Sequence, residues 1–325
     1  MRTAIALLLV CCTGACLAAS KPVRVERLWL FGREYYRLTD WARVNGLQVK
    51  WLSKKEVQAN GKNIRLVFTV DSRKMSLNGT VVWLSHPVAA KSGVAYVSPV
   101  DVTTAISPVL WPTRNSKSER VRHICLDPGH GGKDPGNREG SRQEKTYTLL
   151  LANELAAQLR KAGFTVSFTR TADTFVDLGA RPVLAGRRGA DLMVSLHFNS
   201  AVKTSSAIGG AEVYCLTPAK TSSTNARGAG ANTGAYAGNA NNARNMLLAY
   251  EVQRAIVRDT GMEDRGVKRA RFAVLRTAKM PSVLVEAAFM SNPGEAKKIY
   301  DATWRRKAAQ AIVSAIRSYR DTVEK

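Results

Sequence analysis

The spacing of apolar and polar residues divides this chain into two parts with different predicted folds. Between residues 21 and 110, short runs of β-type composition, such as residues 64–70 and 94–98, are separated by turn signals of the Asn-Gly and Ser-Gly type. One helix-like patch, residues 39–45, stops at an Asn-Gly pair. The pattern predicts a small, mainly β domain over residues 21–110.

After residue 120, continuous apolar runs of strand length alternate with stretches whose apolar residues recur at helical spacing. The helical spacing is clearest in residues 149–159 and 308–316. The strand-type runs occupy residues 123–126, 164–169, 191–199, 211–216, 272–275 and 282–292. Helices between most strands are typical of an α/β fold, and continuous apolar strands need cover on both sides. We therefore predict a mostly parallel or mixed sheet, flanked by helices on both faces, over residues 121–322.

Two polar stretches lack periodicity and are predicted to be irregular. Residues 111–120 are mainly polar and charged, which is typical of an exposed linker between domains. Residues 217–242 consist largely of Ser, Thr, Asn, Gly and Ala with a single aromatic residue, Tyr236, so they bury little surface. We expect a mobile loop over residues 217–242, without the apolar stripe that an inhibitory lid helix needs.

The first twenty residues have the composition of a secretion signal. Met1-Arg2 is followed by an apolar run at residues 4–10 and then by small residues that supply cleavage points. The apolar run is too short to span a bilayer, and no later stretch is long and apolar enough to do so. We predict a signal peptide over residues 1–20 and export to the periplasm or cell envelope. Cys16 is an alternative lipid attachment site, although Thr13 stands where a larger aliphatic residue is usual.

Composition and charge limit the classes of function. With 45% hydrophobic and 23% charged residues among 325, the chain has an ordinary globular composition and enough length for two cores. Its 49 Lys and Arg residues against 25 Asp and Glu residues give a net charge of +24, which favours polyanionic surroundings. The basic residues are scattered and no DNA- or RNA-binding module accompanies them, so we expect no nucleic-acid partner. We predict a monomer that works among acidic envelope polymers.

Two cysteines lie outside the predicted signal, Cys125 and Cys215, each in an apolar strand-type run. In an oxidising compartment they could form a disulfide, whereas buried strand cysteines are more often unpaired small hydrophobes. The sequence leaves both alternatives open.

Four polar residues stand where a purely structural role is costly. Residues 123–144 read HICLDPGHGGKDPGNREGSRQE, a strand followed by a Gly- and Pro-rich loop that carries His130 and leads to Glu144 at a helix start. His197 and Glu286 interrupt apolar strand-type runs, where an unpartnered imidazole or carboxylate is expensive to bury. Because sites in largely parallel sheets gather at the carboxyl ends of strands, we expect the four residues to converge.

These residues also have simpler interpretations. An isolated histidine is more often a surface or core residue than a ligand, so His123 is given no role. Glu144 at a helix start also suits the helix dipole, and Glu139 is a nearby competitor for its role. Asp127, directly before Pro128, is expected to form a turn rather than to bind a metal.

The residues in these motifs, and their order, resemble those of a known family. The pattern DPGHGG-x-DPG with Glu-Lys shortly after it, then SLHFNS, then LVE-xx-F-x-SN, resembles the zinc-dependent N-acetylmuramoyl-L-alanine amidases of type 3 over roughly residues 121–319. Residues 75–102 resemble the small domain named after the N-terminal region of copper amine oxidases. That name describes a shape and does not imply copper, because the segment has one histidine, His86, and no cysteine, which is too few ligands for a transition-metal site.

The resemblance implies a reaction and a role for each residue. His130, Glu144 and His197 would bind Zn²⁺ and leave a fourth position for water, and Glu286 would be the general base that takes the water's proton. The bond cut would be the amide between N-acetylmuramic acid and L-alanine of peptidoglycan. For the N-terminal domain, wall binding, binding of an activator or other partner, and a spacer role all remain open. A wall-binding scaffold without turnover and a zinc peptidase that acts inside the stem peptide are the alternatives.

Overall fold

The computed structural model describes residues 24–115, 120–201, 207–224 and 234–324. The predicted signal peptide, with Cys16, and the central part of the predicted mobile loop lie outside the described residues. Within them, a long mixed sheet carries helices on both faces, and a small antiparallel sheet stands beside it. The predicted fold class, an α/β domain preceded by a small mainly β domain, is confirmed.

The N-terminal domain is built from antiparallel hairpins and short helical segments. Its elements are β1 (Arg27–Leu30), β2 (Arg33–Arg37), α1 (Leu38–Val44), β3 (Gln48–Trp51), β4 (Glu56–Gly61), β5 (Ile64–Thr69), β6 (Lys74–Leu77), β7 (Thr80–Trp83), β8 (Ala89–Lys91), β9 (Val94–Val97), α2 (Pro99–Asp101), a π-helical turn (Val102–Ile106) and α3 (Ser107–Leu110). Strands β3 to β7 form a meander, and β1, β2, β9 and β8 form the small sheet. At the β6–β7 hairpin, Asn78 and Gly79 have φ values of 48° and 90°, as a two-residue turn of this kind requires.

The second domain alternates strands and helices. Its elements are β10 (His123–Pro128), β11 (Arg138–Glu139), β12 (Arg142–Gln143), α4 (Glu144–Lys161), β13 (Thr165–Phe168), α5 (Ala180–Arg187), β14 (Leu192–Asn199), β15 (Ala211–Leu216), a 3-10 helix (Ala237–Asn241), α6 (Asn242–Thr260), β16 (Asp264–Ala270), α7 (Ala273–Arg276), β17 (Ser282–Phe289), α8 (Pro293–Tyr300) and α9 (Ala302–Glu324). The strand order is β13-β10-β14-β17-β15-β16, parallel except between β17 and β15. Among the described helices, none has the length and apolar character needed to cross a membrane.

The two faces of this sheet are covered unequally. On one face, α4, α6 and α9 pack over a large core that includes Val213 and Val285. On the other face, the short helices α5 and α7 cover a smaller core that includes Tyr214 and Leu284. Because residues two apart in a strand share a face, Glu286 lies on the sparsely covered side with Leu284. Short helices leave room on that side for a cleft.

One predicted strand is wrong, and one observed strand was not predicted. The sequence predicts a strand at residues 272–275, but Ala273–Arg276 forms the single helical turn α7. The strand lies just before it, in β16, which reads DRGVKRA and has no apolar run. Hydrogen bonds to β15 on one side and to β7 on the other fix β16 as a strand. Pairing with neighbouring strands therefore overrides a weak local preference.

A joint between the two domains is the second feature that the sequence did not indicate. Strand β7 pairs in parallel with β16 at Val82 and Val267, so the meander continues the sheet of the second domain. Trp83 Nε1 donates to the carbonyl of Arg265 at 2.9 Å. Gly266 has a φ of 89°, and a Cβ there would lie 2.6 Å from a side-chain atom of β7. Glycine therefore permits the close approach of the two strands.

Hydrogen bonds hold residues 218–224, at the beginning of the polar stretch 217–242. Arg73 of the N-terminal domain donates to the backbone carbonyls of residues 222–224 at 3.2 to 3.4 Å. Arg271 donates to the carbonyls of Pro218 and Thr221 at 3.1 and 2.7 Å. The composition of this stretch did not predict these anchors.

Cys125 and Cys215 are both buried and free, so they form no disulfide. Cys215 Sγ accepts a hydrogen bond from Arg269 at 3.1 Å. Of the two alternatives that the sequence left open, the second is correct: both cysteines are unpaired, buried residues.

Candidate metal and catalytic site

In the loop after β10, the predicted ligand His130 has a strained backbone conformation that its neighbours stabilise. His130 has a φ of 63°, which costs a residue with a side chain roughly 1 kcal/mol or more. Two buried arginines fix the loop. Arg170 donates to the carbonyls of Pro128 and Gly129 at 2.9 and 2.8 Å, and Arg181 donates to the carbonyl of His130 at 2.9 Å. The backbone under the imidazole is therefore rigidly placed.

Asp127 does not merely form a turn, as the sequence led us to expect. It is fully buried, and its carboxylate accepts hydrogen bonds from Arg181, Thr169 and Ser195 at 2.8, 2.5 and 2.6 Å. The Asp127 carboxylate thereby ties β10 to β14 through Ser195 and to the residue after β13, Thr169.

Three of the predicted residues converge on one point. Oε1 of Glu144, the first residue of α4, lies 3.1 Å from His130 Nε2 and 3.1 Å from His197 Nδ1. The three ligand atoms all lie within 4.8 Å of one another, and Glu144 is only 1% exposed. A pair of imidazoles and one carboxylate is a donor set that suits Zn²⁺. The residues present therefore fit a zinc ion.

Two residues that the sequence analysis missed orient these donors. Asp134 Oδ2 lies 2.8 Å from His130 Nδ1, and because a carboxylate accepts, Nδ1 donates and Nε2 keeps its lone pair for a metal. The backbone and side-chain nitrogens of Asn137 donate to Glu144 Oε2 at 2.9 and 2.8 Å. The sequence did contain a signal for Asp134, because this carboxylate follows His130 by four residues in the same loop.

The charges in this cluster reinforce one another. Burial alone would raise the pKa of the Glu144 carboxyl, but hydrogen bonds and charge from His130 and His197 hold that pKa far below its usual range. Burial works against the charged form of His130, yet Glu144 and Asp134 outweigh it and raise the pKa of this imidazole. Glu144 is therefore ionised at all ordinary pH values, as a ligand must be.

Glu286 lines the same cavity. The parallel pairing of β14 and β17 sets His197 opposite Glu286. The cavity has a volume of about 350 Å³ and is lined by His130, Gly136, Asn137, Glu144, Leu178, His197, Asn199, Ser200, Phe272, Ala273, Val274, Leu284 and Glu286. Oε2 of Glu286 is buried and has no hydrogen-bond partner among the described residues. Burial and the charges of Glu144 and Glu212 raise the pKa of Glu286 well above its usual range, while Lys268 opposes them. A carboxylate in this state within a cleft is typical of a catalytic base.

The alternative residues lie outside this cluster. Glu139 is exposed on β11 and accepts a hydrogen bond from the Tyr300 hydroxyl. His123, at the start of β10, lies 2.8 Å from the Ser167 hydroxyl through its Nε2. The structure brings together His130, Glu144, His197 and Glu286, and neither alternative joins them.

Glycine at position 136 is required for the donor atoms to meet, and substitution there is expected to weaken metal binding. Gly136 has a φ of 64°, and a Cβ would lie 2.6 Å from His130 Cδ2 and 2.7 Å from Glu144 Oε2. We expect Gly136→Ala to lower zinc affinity by about 10- to 100-fold, the usual cost of disturbing the residues around a metal site. Competition with a chromogenic chelator measures that affinity.

The matched control is Gly140→Ala. Gly140 has a φ of 58° and nothing within 4 Å of the added Cβ, so it carries the same backbone strain without the contact. Equal losses of zinc affinity in both variants would show that strain alone, rather than contact with the ligands, explains the effect.

Comparison with known proteins gives a consistent result. Residues 124–318 match the family described as N-acetylmuramoyl-L-alanine amidase, and residues 30–107 match the copper amine oxidase N-terminal domain. N-acetylmuramoyl-L-alanine amidase AmiC of Neisseria meningitidis serogroup B is 37% identical over 222 residues, a match that covers 61% of this chain and 53% of AmiC. N-acetylmuramoyl-L-alanine amidase AmiA of Salmonella typhimurium is 31% identical over 279 residues, covering 78% of this chain and 94% of AmiA.

A solved structure agrees with these matches. The crystal structure of an N-acetylmuramoyl-L-alanine amidase from Clostridium difficile 630 superposes with a TM-score of 0.52 at 31% identity, covering 63% of this chain and 99% of that chain. The chain spans about half the length of the Neisseria protein. The family match extends over well more than half of the 325 residues and includes the three converging donors and Glu286. The chain therefore belongs to the N-acetylmuramoyl-L-alanine amidase family.

Proposed function

We propose that this chain is an exported, zinc-dependent enzyme that hydrolyses the amide bond between N-acetylmuramic acid and L-alanine of peptidoglycan. The observation that carries the proposal is the convergence of His130, Glu144 and His197 in the cavity that Glu286 lines. The relatives are named N-acetylmuramoyl-L-alanine amidases, which suggests the bond that is cleaved. The net charge of +24 favours association with anionic wall polymers.

The three donors would hold the metal through His130 Nε2, Glu144 Oε1 and His197 Nδ1. A bound zinc ion supplies Lewis acidity, which polarises an amide carbonyl and lowers the pKa of a coordinated water from ~16 to about 7. Asp134 and Asn137 keep two of these donors oriented before the substrate arrives. Little reorganisation is then needed during the reaction.

Glu286 is the proposed general base. Its raised pKa makes this carboxylate a stronger proton acceptor than an ordinary glutamate, as a general base requires. It takes a proton from the attacking water as the new C–O bond forms. It then gives that proton to the nitrogen of L-alanine as the C–N bond breaks. The products are a free carboxyl on the lactyl group and a peptide with a free N-terminus, with no covalent intermediate.

Digestion of purified peptidoglycan tests the proposal. We expect the chain without its predicted signal, loaded with zinc, to release intact stem peptides that begin with L-alanine, and mass spectrometry of the soluble fragments identifies them. Fragments cut inside the stem peptide would instead identify a peptidase. Binding to the wall without any released fragment would identify a scaffold, and both outcomes would overturn the proposal.

A further inference from the structure

A second buried carboxylate stands beside the proposed catalytic base. In the sheet, His197 of β14 lies opposite Glu286 of β17, and Glu286 lies opposite Glu212 of β15. The three side chains therefore form one row across adjacent strands on the sparsely covered face. Glu212 is only 2% exposed, so it cannot contact the substrate.

Four donors saturate the Glu212 carboxylate. Oε2 accepts from Lys268 Nζ and from Arg265 Nε, the latter at 3.0 Å. Oε1 accepts from the Tyr214 hydroxyl at 2.7 Å and from Asn199 Nδ2 at 2.6 Å. Burial would raise the pKa of this carboxyl, but Lys268, Tyr214 and Arg265 hold it below its usual value. A buried carboxylate held by two cations and two neutral donors is a rigid anchor, because moving it would leave several buried polar groups without partners.

The bond from Asn199 to Glu212 crosses over the strand that carries the base. Asn199 ends β14 and Glu212 belongs to β15, and β17 lies between those two strands. The register shifts at this point: His197 lies opposite Glu286, whereas Asn199 lies opposite Phe289, so β17 has one extra residue immediately after Glu286. A bulge redirects neighbouring side chains and loosens the pairing around it. The hydrogen bond between Asn199 and Glu212, called the bridge below, therefore crosses β17 at the place where its regular pairing with β14 is interrupted.

We propose that the bridge between Asn199 and Glu212, anchored by Lys268 and Arg265, is a positioning device that fixes Glu286 relative to the metal ligand His197. The inference rests on the proposed function and adds two positioning residues to it. Asn199 lines the cavity, two residues after His197, so the bridge connects the wall of the cleft to a buried ionic anchor. A displacement of about 1 Å between a base and the group it serves can cost about 100-fold in rate.

A double-mutant cycle on a soluble muropeptide tests this role. In Asn199→Asp, two carboxylates face each other and the bridge breaks. Adding Glu212→Gln gives the carboxamide a donor that can reach the new carboxylate, so the bridge re-forms with its polarity reversed. We expect Asn199→Asp to lower kcat by about 10- to 100-fold with KM little changed, and the double variant to recover most of that loss. Zinc affinity and Tm are measured for every variant, so that loss of metal or of fold is separated from misplacement.

The control is Gln253→Ala. Gln253 is a buried amide that joins the starts of β15 and β16 through Ala211 and Asp264, outside the row. We expect it to lower Tm without changing kcat. If the two substitutions in the cycle are simply multiplicative in kcat, or if Asn199→Asp raises KM at unchanged kcat, the positioning role is wrong. Failure of the wild-type chain to cleave the muropeptide would instead overturn the proposed function.

Discussion

A chelator is expected to abolish amide hydrolysis by this chain, and added zinc is expected to restore it. The reason is that the donor atoms of His130, Glu144 and His197 lie within 4.8 Å of one another. These three residues alone could not hydrolyse an amide. A metal held by these residues would supply the Lewis acidity that the reaction needs, so its removal is expected to lower the rate by about 10⁴-fold or more. The measurement is release of L-alanine-terminated peptides before chelation, after it, and after dialysis into zinc.

Substitution of one ligand separates zinc dependence from other effects of a chelator. In His197→Ala, two donors remain, and we expect zinc to be lost on dialysis and activity not to return when zinc is added. His123→Ala is the matched control, because His123 lies at the opposite end of a parallel strand and bonds to Ser167. Full activity in thoroughly zinc-free wild type, or in His197→Ala, would contradict the assignment of this metal site.

The same experiment has a predicted pH dependence. In the metal-free protein Glu144 stays ionised because its pKa is far below its usual range, so it does not limit binding. His130 is different, since Glu144 and Asp134 raise its pKa above the ordinary 6.5. Protons therefore compete with zinc for His130 as the pH falls through that raised pKa. Zinc affinity should be constant above it and decline below it, and isothermal titration at several pH values measures this.

The sequence singled out His130, His197 and Glu286, which the structure brings to one cavity, because each of them breaks a local rule. His130 sits in a Gly- and Pro-rich loop that cannot contribute to a core, and His197 and Glu286 interrupt apolar strands at a cost. Such conflicts between local composition and burial are expected at functional sites. The α/β class was predictable for a related reason, because long apolar runs and helical spacing are strong, local signals.

What the sequence did not predict depends on contacts between distant residues. Strand β16 has no apolar run and is a strand only because β15 and β7 pair with it. Arg170 and Arg181 looked like ordinary charged residues, yet both are buried and hold the carbonyls of the His130 loop. Glu212 is recognisable as an anchor only once Lys268 and Asn199 are seen beside it. Partners of this kind are invisible to periodicity and composition.

Glu286→Gln is the second substitution with a large expected effect. The carboxamide has nearly the same shape but accepts no proton at neutral pH, so the attacking water and the leaving amine both lose their proton carrier. We expect kcat to fall by about 10³- to 10⁴-fold, at the upper end of what a general base contributes. Zinc affinity should persist, since the three donor atoms are unchanged. Muropeptide turnover and zinc content are measured on the same samples.

The same substitution should stabilise the metal-free protein. Burial and the charges of Glu144 and Glu212 raise the folded-state pKa of Glu286 above its ordinary value of 4.5. The unfolded chain therefore releases this proton more readily, and the contribution of Glu286 to stability falls as the pH rises above about 4.5 towards the raised pKa. Gln at this position lacks that cost. We expect the free energy of unfolding at pH 7 to be higher by on the order of 1 kcal/mol, seen as a higher Tm, with a smaller difference from wild type near pH 4.

Opposite changes in activity and stability distinguish a catalytic base from a structural carboxylate. Glu251→Gln is the matched control, because Glu251 is also buried but pairs with Arg254 on α6, outside the cavity. Loss of that pair should lower Tm and leave kcat unchanged. If Glu286→Gln lowered both Tm and activity, Glu286 would be a structural residue whose loss disturbs the cleft. If it kept activity within about tenfold of wild type, another group would have to carry the proton.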